Sequence, residues 1–275
     1  MNSAIIKYLV LLFLIFVISC AKVDEKSFTF VQLCDTQLGM GGYDHDIKTF
    51  KQAVKQINLL DPDFVLICGD LVNDANAISY IDFNTITNKF NMPCYCAPGN
   101  HDVGNVPNDS TLSFYRNTIG KDYYSFENKG FAFVITNSQL WKQHTNNESK
   151  KHDDWFKNTI NSIKKTNQSI FVVGHYPLYL NTADEEEHYF NLPIIKRKEL
   201  LNIFVKSKVV AYLSGHAHRP LINNYKHIQL VSGESTSKNL DLISDLGFRL
   251  WNVSKDTIFQ HFISLEPPLN ESPKD

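Results

Sequence analysis

Apolar runs of strand length recur along this chain with helically spaced segments between them, an alternation that points to a layered α/β domain rather than an all-β one. Segments 28–34, 64–68 and 93–97 read as strands. Between the first two lies a helix in which Ile47, Phe50, Val54 and Ile57 share a face and which Pro62 closes; a second helix falls over 77–90. Segments 123–127 and 131–137 read as an antiparallel pair turned at Asn128, Lys129 and Gly130, followed by a helix over 153–165. Strands over 170–173, 209–213 and 228–231, a helix over 197–206 and two closing strands over 248–253 and 257–262 complete the series. No internal repeat or long low-complexity linker interrupts it, and a hydrophobic content of 43% at this length suits a single large domain.

Five of these strands run straight into residues that bind cations or protons. Asp35 follows Cys34, and Gly69-Asp70 follow Cys68. Gly99-Asn100-His101-Asp102 lie just beyond Ala97, Gly174-His175 follow Val173, and Gly215-His216-Ala217-His218 follow Ser214. One such Asp is ordinarily a turn former or cap. Five sets at strand ends, where α/β sheets place their chemistry, describe a site. Where a glycine immediately precedes a ligand, as Gly69, Gly99, Gly174 and Gly215 do, it is expected to supply a turn that other residues resist, swinging the side chain toward a common centre. Imidazoles with carboxylate and amide oxygens form a mixed N/O ligand set for divalent first-row ions. Two such ions roughly 3.5–4 Å apart need a bridging carboxylate and stabilise both the attacking and the leaving oxygen in a displacement at phosphorus. Asp70 is the candidate bridge.

In this order Asp35-Thr36-Gln37, Gly69-Asp70, Gly99-Asn100-His101-Asp102, Gly174-His175 and Gly215-His216-Ala217-His218 resemble the motif set of calcineurin-like metallophosphoesterases, spanning Asp35 to His218. The resemblance implies a four-layer αββα sandwich with two central mixed β-sheets. It also implies dinuclear hydrolysis of phosphate esters on a metal core common to monoesterases and diesterases; the monoester is the expectation here and the diester the alternative. By that pattern Asp35, Asp70 and His218 hold one metal, while Asp70, Asn100, His175 and His216 hold the other, with a metal-bridging hydroxide as nucleophile. His101 then assists the leaving group or stabilises the phosphoryl transition state, oriented by Asp102.

The family's first motif is usually Asp-x-His, and here Gln37 stands at the ligand position. Its carbonyl oxygen can ligate the metal, or the amide can hydrogen-bond a metal-bound water. As a ligand it is harder and weaker than imidazole, which tilts the first site toward manganese, iron or magnesium over zinc. A metal-poor, non-catalytic binding lipoprotein is the contrasting reading; His101 and Asp102, which ligate nothing in the family scheme, argue against it. Asp-x-Gln also resembles a subgroup of small, single-domain calcineurin-like phosphoesterase-domain serine/threonine phosphatases. That likeness extends over 185–192 and implies that Asn137, Glu185 and Tyr189 line the substrate entrance. An acidic rim there repels polyphosphates and favours a phosphoprotein, a sugar phosphate or a small monoester as substrate.

The first 20 residues read as a leader: Lys7 in a charged start, an apolar run from Tyr8 to Ile18, then Ser19 and Cys20. The run is shorter than the about 20 residues that span a bilayer. Val17-Ile18-Ser19-Cys20 resembles a lipobox, so the expectation is an exported bacterial lipoprotein, anchored through Cys20 on a periplasmic or cell-surface membrane face. A linker over 21–27 would tether a catalytic domain over 28–266, with a polar tail over 267–275. The formal charge of −2 shows no basic excess, and the densest basic cluster, Lys196-Arg197-Lys198, sits in a helical pattern, so no nucleic-acid partner is expected. Cys34, Cys68, Cys94 and Cys96 lack zinc or redox spacing and are expected as buried free thiols.

Overall fold

The computed structural model describes residues 27–265 other than Leu242. The leader with Cys20, nearly all of the 21–27 linker and the C-terminal tail lie outside the described residues. Two mixed sheets form the centre. In the first, the strand order is β11 (Ile258–Ser264), β10 (Gly247–Val253), β1 (Phe28–Leu33), β2 (Phe64–Cys68) and β3 (Cys94–Ala97), with β1, β2 and β3 parallel. The second runs β4 (Tyr124–Asn128), β5 (Phe131–Ile135), β6 (Ser169–Val173), β7 (Val209–Ser214), β9 (Ile228–Ser232) and β8 (Leu221–Tyr225), parallel from β5 through β9.

Strand alternation sorts the side chains into layers. Phe28, Phe30, Phe64 and Leu66 pack from the first sheet against Phe131, Phe133, Ile135 and Phe171 of the second, closed by Trp251. Stacked and edge-on aromatic pairs fill this seam, such as Phe30 on Trp251 at 5.5 Å and Phe64 on Phe133 at 4.9 Å. The alternate residues Val31, Leu33, Val65 and Ile67 face α1 (Tyr43–Leu60), α2 (Ala77–Thr87) and α4 (Asp109–Thr118). Ala132, Val134, Ile170 and Val172 face α6 (Asn146–Thr166) and α7 (Ile194–Lys206). Parallel strands covered on both faces are the reason these runs read as continuously apolar. This is the four-layer αββα arrangement.

The expected elements form with shifted ends, and three of the shifts matter. The segment 28–34 stops pairing at Leu33, leaving Cys34 in an isolated bridge to Ser235, and 131–137 stops at Ile135. The hairpin turns on two residues, Lys129 and Gly130, both at positive φ, and Asn128 belongs to the strand. Four elements were not expected from the sequence: the short helices α3 (Asn100–Val103) and α5 (Gln139–Lys142), α4, whose residues are mostly polar, and β8, an edge strand whose faces alternate between exposed and half-buried. The four described cysteines are free; Cys34 and Cys68 are buried, whereas Cys94 and Cys96 are only half-buried.

Candidate metal centre

The C-terminal ends of β1, β2, β3, β6 and β7 deliver the predicted polar residues to one place. Donor atoms of Asp70, His175 and His216 lie within 4.8 Å of one another, as do those of Asp35, Asp70 and His218, so two clusters share Asp70. All five residues are buried. Buried carboxylates facing imidazole nitrogens fit a pair of divalent cations, and a shared carboxylate is what two neighbouring ions require.

The backbone works harder here than the sequence implies. Asp35, Gln37, Asp70, His216 and His218 all adopt positive φ, between 29° and 65°. Such conformations are costly for residues with a Cβ and gather where surrounding structure enforces them. The ligands themselves therefore make the turns. Of the preceding glycines only Gly69 has positive φ, at 85°. Gly99 and Gly215 instead leave room: a Cβ on Gly99 would lie 2.1 Å from Asp70 Oδ1, and one on Gly215 2.7 Å from Asp35 Oδ2. The expected turn-making role of glycine thus holds at Gly69 and is replaced by close approach at Gly99, Gly215 and also Gly174, where a Cβ would lie 2.6 Å from the Tyr212 hydroxyl.

Hydrogen bonds then fix each ring and carboxylate. His175 Nδ1 donates to Cys68 O at 2.9 Å, turning Nε2 to within 3.1 Å of Asp70 Oδ2 and 3.2 Å of Asn100 Oδ1. His218 Nδ1 donates to Lys238 O at 2.6 Å, leaving Nε2 3.6 Å from Asp35 Oδ1. Backbone acceptors of this kind set the tautomer of a ligating imidazole. The His216 amide donates to both carboxylate oxygens of Asp35, at 3.0 and 3.1 Å, and the His101 amide donates to Asp70 Oδ1 at 2.9 Å.

The electrostatics follow from burial and proximity. Burial opposes charge on both Asp70 and His175, but their mutual attraction wins, holding the Asp70 carboxyl below its ordinary range and lifting His175 to about 9. A cation must displace that proton to bind His175, so metal uptake releases protons. Burial, reinforced by the neighbouring His175, keeps His216 neutral and ready as a ligand. Burial and the nearby Asp70 raise Asp102 to about 7.

The placement of the remaining residues corrects several expectations. Asp102 does not orient His101: its carboxylate accepts from the amides of Gly99 at 2.8 Å and Leu71 at 3.1 Å, tying β3 to the turn after β2. His101 Nδ1 instead bonds Asn73 O at 2.8 Å. Asn73 was missed because it meets His101 through its backbone carbonyl, a group every residue carries. Its side chain also accepts from Gln37 Nε2 at 3.3 Å, while Gln37 Oε1 is buried with no hydrogen-bond partner among the described residues. Asn137 does not line an entrance, being wholly buried with its amide on Asp122 Oδ2 at 3.0 Å.

Glu185 turns inward too, accepting from the amides of Leu180, Asn181 and Thr182 and from Asn191 Nδ2. Burial opposes its charge, but these donors hold it at about 2. With Glu187 bonded to the Ile194 amide and Asp184 paired with Lys198, three of the four acids of this loop are engaged by the protein's own groups, and Glu186 is exposed. Tyr189 does reach the site: 52% exposed, it accepts from Asn100 Nδ2 at 3.4 Å and stands over the His216 ring at 4.8 Å.

The calcineurin-like phosphoesterase family profile matches residues 28–220. Serine/threonine-protein phosphatase CPPED1 of Bos taurus is 31% identical over 264 residues, covering 87% of this chain and 84% of that protein. A probable cyclic nucleotide phosphodiesterase of Ruthia magnifica is 28% identical over 235 residues, covering 82% of this chain and 94% of its own length. Among solved structures, a dimetal phosphatase from Danio rerio superposes with a TM-score of 0.65 at 15% identity, covering 86% of this chain and 95% of the other, which establishes the shared fold. The chain therefore belongs to the calcineurin-like phosphoesterase family, and is a metal-dependent phosphoric ester hydrolase.

Proposed function

We propose that this chain is a dinuclear phosphomonoesterase in which Asp35, Asp70 and His218 hold one ion and Asp70, Asn100, His175 and His216 the other. The observation that carries the reading is the pair of buried clusters sharing Asp70, whose Oδ1 also holds the amide of His101. Bound there, manganese, iron, zinc or magnesium supplies Lewis acidity for the phosphoryl oxygens and lowers the pKa of water. Gln37 supports the first site through its unpartnered Oε1, either as a direct ligand or through water. The Asn73 carbonyl accepts the Nδ1–H of His101 and leaves Nε2 facing the reaction; with both ring nitrogens protonated, Nε2 gives its proton to the leaving oxygen and Nδ1–H stays on the carbonyl. Asn100 and Tyr189 add polar groups beside the reacting position.

The mammalian relative named as a protein phosphatase supports a phosphorylated protein or small monoester as substrate, and the relative named as a phosphodiesterase supports diester cleavage as the second reading. Initial rates on phenyl phosphate and bis(phenyl) phosphate, with metal content measured on the same samples, separate them. The proposal expects faster, chelator-sensitive turnover of the monoester, and a His101→Ala variant that keeps its metal but loses rate by about 10²–10⁴-fold. Faster diester turnover would transfer the assignment to the second reading. The leader sequence supports export and anchoring at Cys20. Labelling with a palmitate analogue tests this, and incorporation that persists in Cys20→Ser would refute it.

A further inference from the structure

A small groove opens beside the metal centre, with a volume of about 240 Å³ and walls formed by Leu180, Phe190, Ala217 and Leu240, with Arg219 and Asp241 also lining it. Three of the four walls are tied to the ligand histidines. Ala217 sits between His216 and His218 in sequence, the Phe190 ring stands 5.5 Å from that of His216, and the Leu240 amide donates to His218 O at 3.0 Å. Leu180 is pinned from both sides: its amide donates to Glu185 Oε1 at 2.7 Å, and its carbonyl accepts from Asn223 Nδ2 at 3.0 Å. The volume is below the roughly 300–1,000 Å³ that encloses a whole small-molecule ligand, so the groove takes one part of a larger substrate.

The two polar groups there are not equivalent. Asp241 spends its carboxylate on the amides of Ile243 and Ser244 and on the Ser244 hydroxyl. Arg219 is exposed and makes no hydrogen bond or close ion pair among the described residues; the Asp241 carboxylate on the same groove attracts it from beyond ion-pair distance. An apolar slot beside the ligand histidines, with a guanidinium at its rim that has no close partner among the described residues, matches a side chain followed by an anion.

Resting on the phosphomonoesterase reading, we infer that this groove is a specificity subsite for a phosphorylated peptide, taking an apolar side chain next to the phosphorylated residue, with an acidic residue beyond it meeting Arg219. The test uses the metal-loaded enzyme and phosphoserine peptides of equal length, with Leu or Asn at either neighbouring position and Glu or Lys beyond. At least about tenfold higher kcat/KM is expected for the Leu peptide at one of those positions, from burial of a single apolar side chain. Leu180→Asn, and separately Leu240→Asn should the first fail to fold, brings that ratio near one without changing metal content or turnover of free O-phosphoserine. Arg219→Glu reverses the preference between Glu and Lys. Chelator-sensitive turnover with equal rates on all peptides overturns the subsite while leaving the phosphatase reading intact. No turnover of free O-phosphoserine or of any peptide overturns both.

Discussion

Replacing Gly99 by alanine places a methyl group where the fold has no room. The added Cβ would lie 2.1 Å from Asp70 Oδ1 and 2.3 Å from Asp70 N, where real contacts do not fall below 3.0 Å. Something must move by about 1 Å. The two backbones are not free to part, because β2 and β3 pair through Cys68 and Ala97, and Asp102 gathers the amides of Gly99 and Leu71 on one carboxylate. The displacement therefore falls on Asp70 as a whole, backbone nitrogen and carboxylate together, and its carboxylate is the group common to both clusters. Misplacing a reacting constellation by about 1 Å costs on the order of 10²-fold in rate. Overpacking adds about 1–3 kcal/mol of destabilisation, which lowers Tm by about 2–4 °C per kcal/mol in a domain of this size. Gly99→Ala should thus melt a few degrees early, bind less metal and lose about two orders of magnitude in kcat/KM on phenyl phosphate. A folded variant with full metal content and a rate within about threefold of wild type would refute the argument that Gly99 exists to let Asp70 approach.

His152 carries a pH dependence. It is fully buried with its ring 5.0 Å from both Tyr123 and Trp141, and burial lowers its pKa from 6.5 to about 3. The unfolded chain takes up this proton near pH 6.5 and the folded chain only near 3, so the stability the neutral ring contributes is complete above 6.5 and is lost as pH falls through that window. The stability difference between wild type and His152→Gln should shift by about 2 kcal/mol against wild type between pH 7.5 and 5; urea unfolding with no such shift contradicts it. Gln37→His should raise metal affinity at the first site by about tenfold or more, read by chelator competition; unchanged affinity would mean that position 37 does not touch the metal. Glu185→Gln weakens the charge-assisted bonds that hold the 180–192 loop, and it should raise KM for the monoester with little change in metal content; an unaltered KM would show that the loop is held without that charge.

The site was more legible than the loops that support it. Asp35, Asp70, Asn100, His175, His216 and His218 announced themselves because each ends an apolar strand, and a strand end in an α/β sheet is a fixed address. Asn73 and Tyr189 show the limit. Asn73 orients His101 through a backbone carbonyl, and every residue has a carbonyl, so its identity carries no signal. Tyr189 comes to the site because Arg197, buried and bonded to the carbonyls of Ala183, Glu185 and Leu192, shapes the loop that bears it. Arg197 read only as part of a basic cluster in a helical pattern, since helical periodicity cannot show that an arginine is satisfied by carbonyls outside its own helix. Glu185 misled for a related reason: an acidic run reads as surface charge until its carboxylates are found capping amides. Asp102 followed the motif into the site, but its partners are the amides that hold β3 against the turn after β2.

The central claim is that one carboxylate, Asp70, serves two ions. Metal content per chain, measured by elemental analysis on wild type, Asp70→Ala and Asp35→Ala after saturation with manganese and removal of the excess, tests it most directly. The account predicts two ions in wild type, loss of occupancy at both sites in Asp70→Ala, and retention of the His175 site in Asp35→Ala. Two ions retained in Asp70→Ala, or a single ion in saturated wild type, would contradict it.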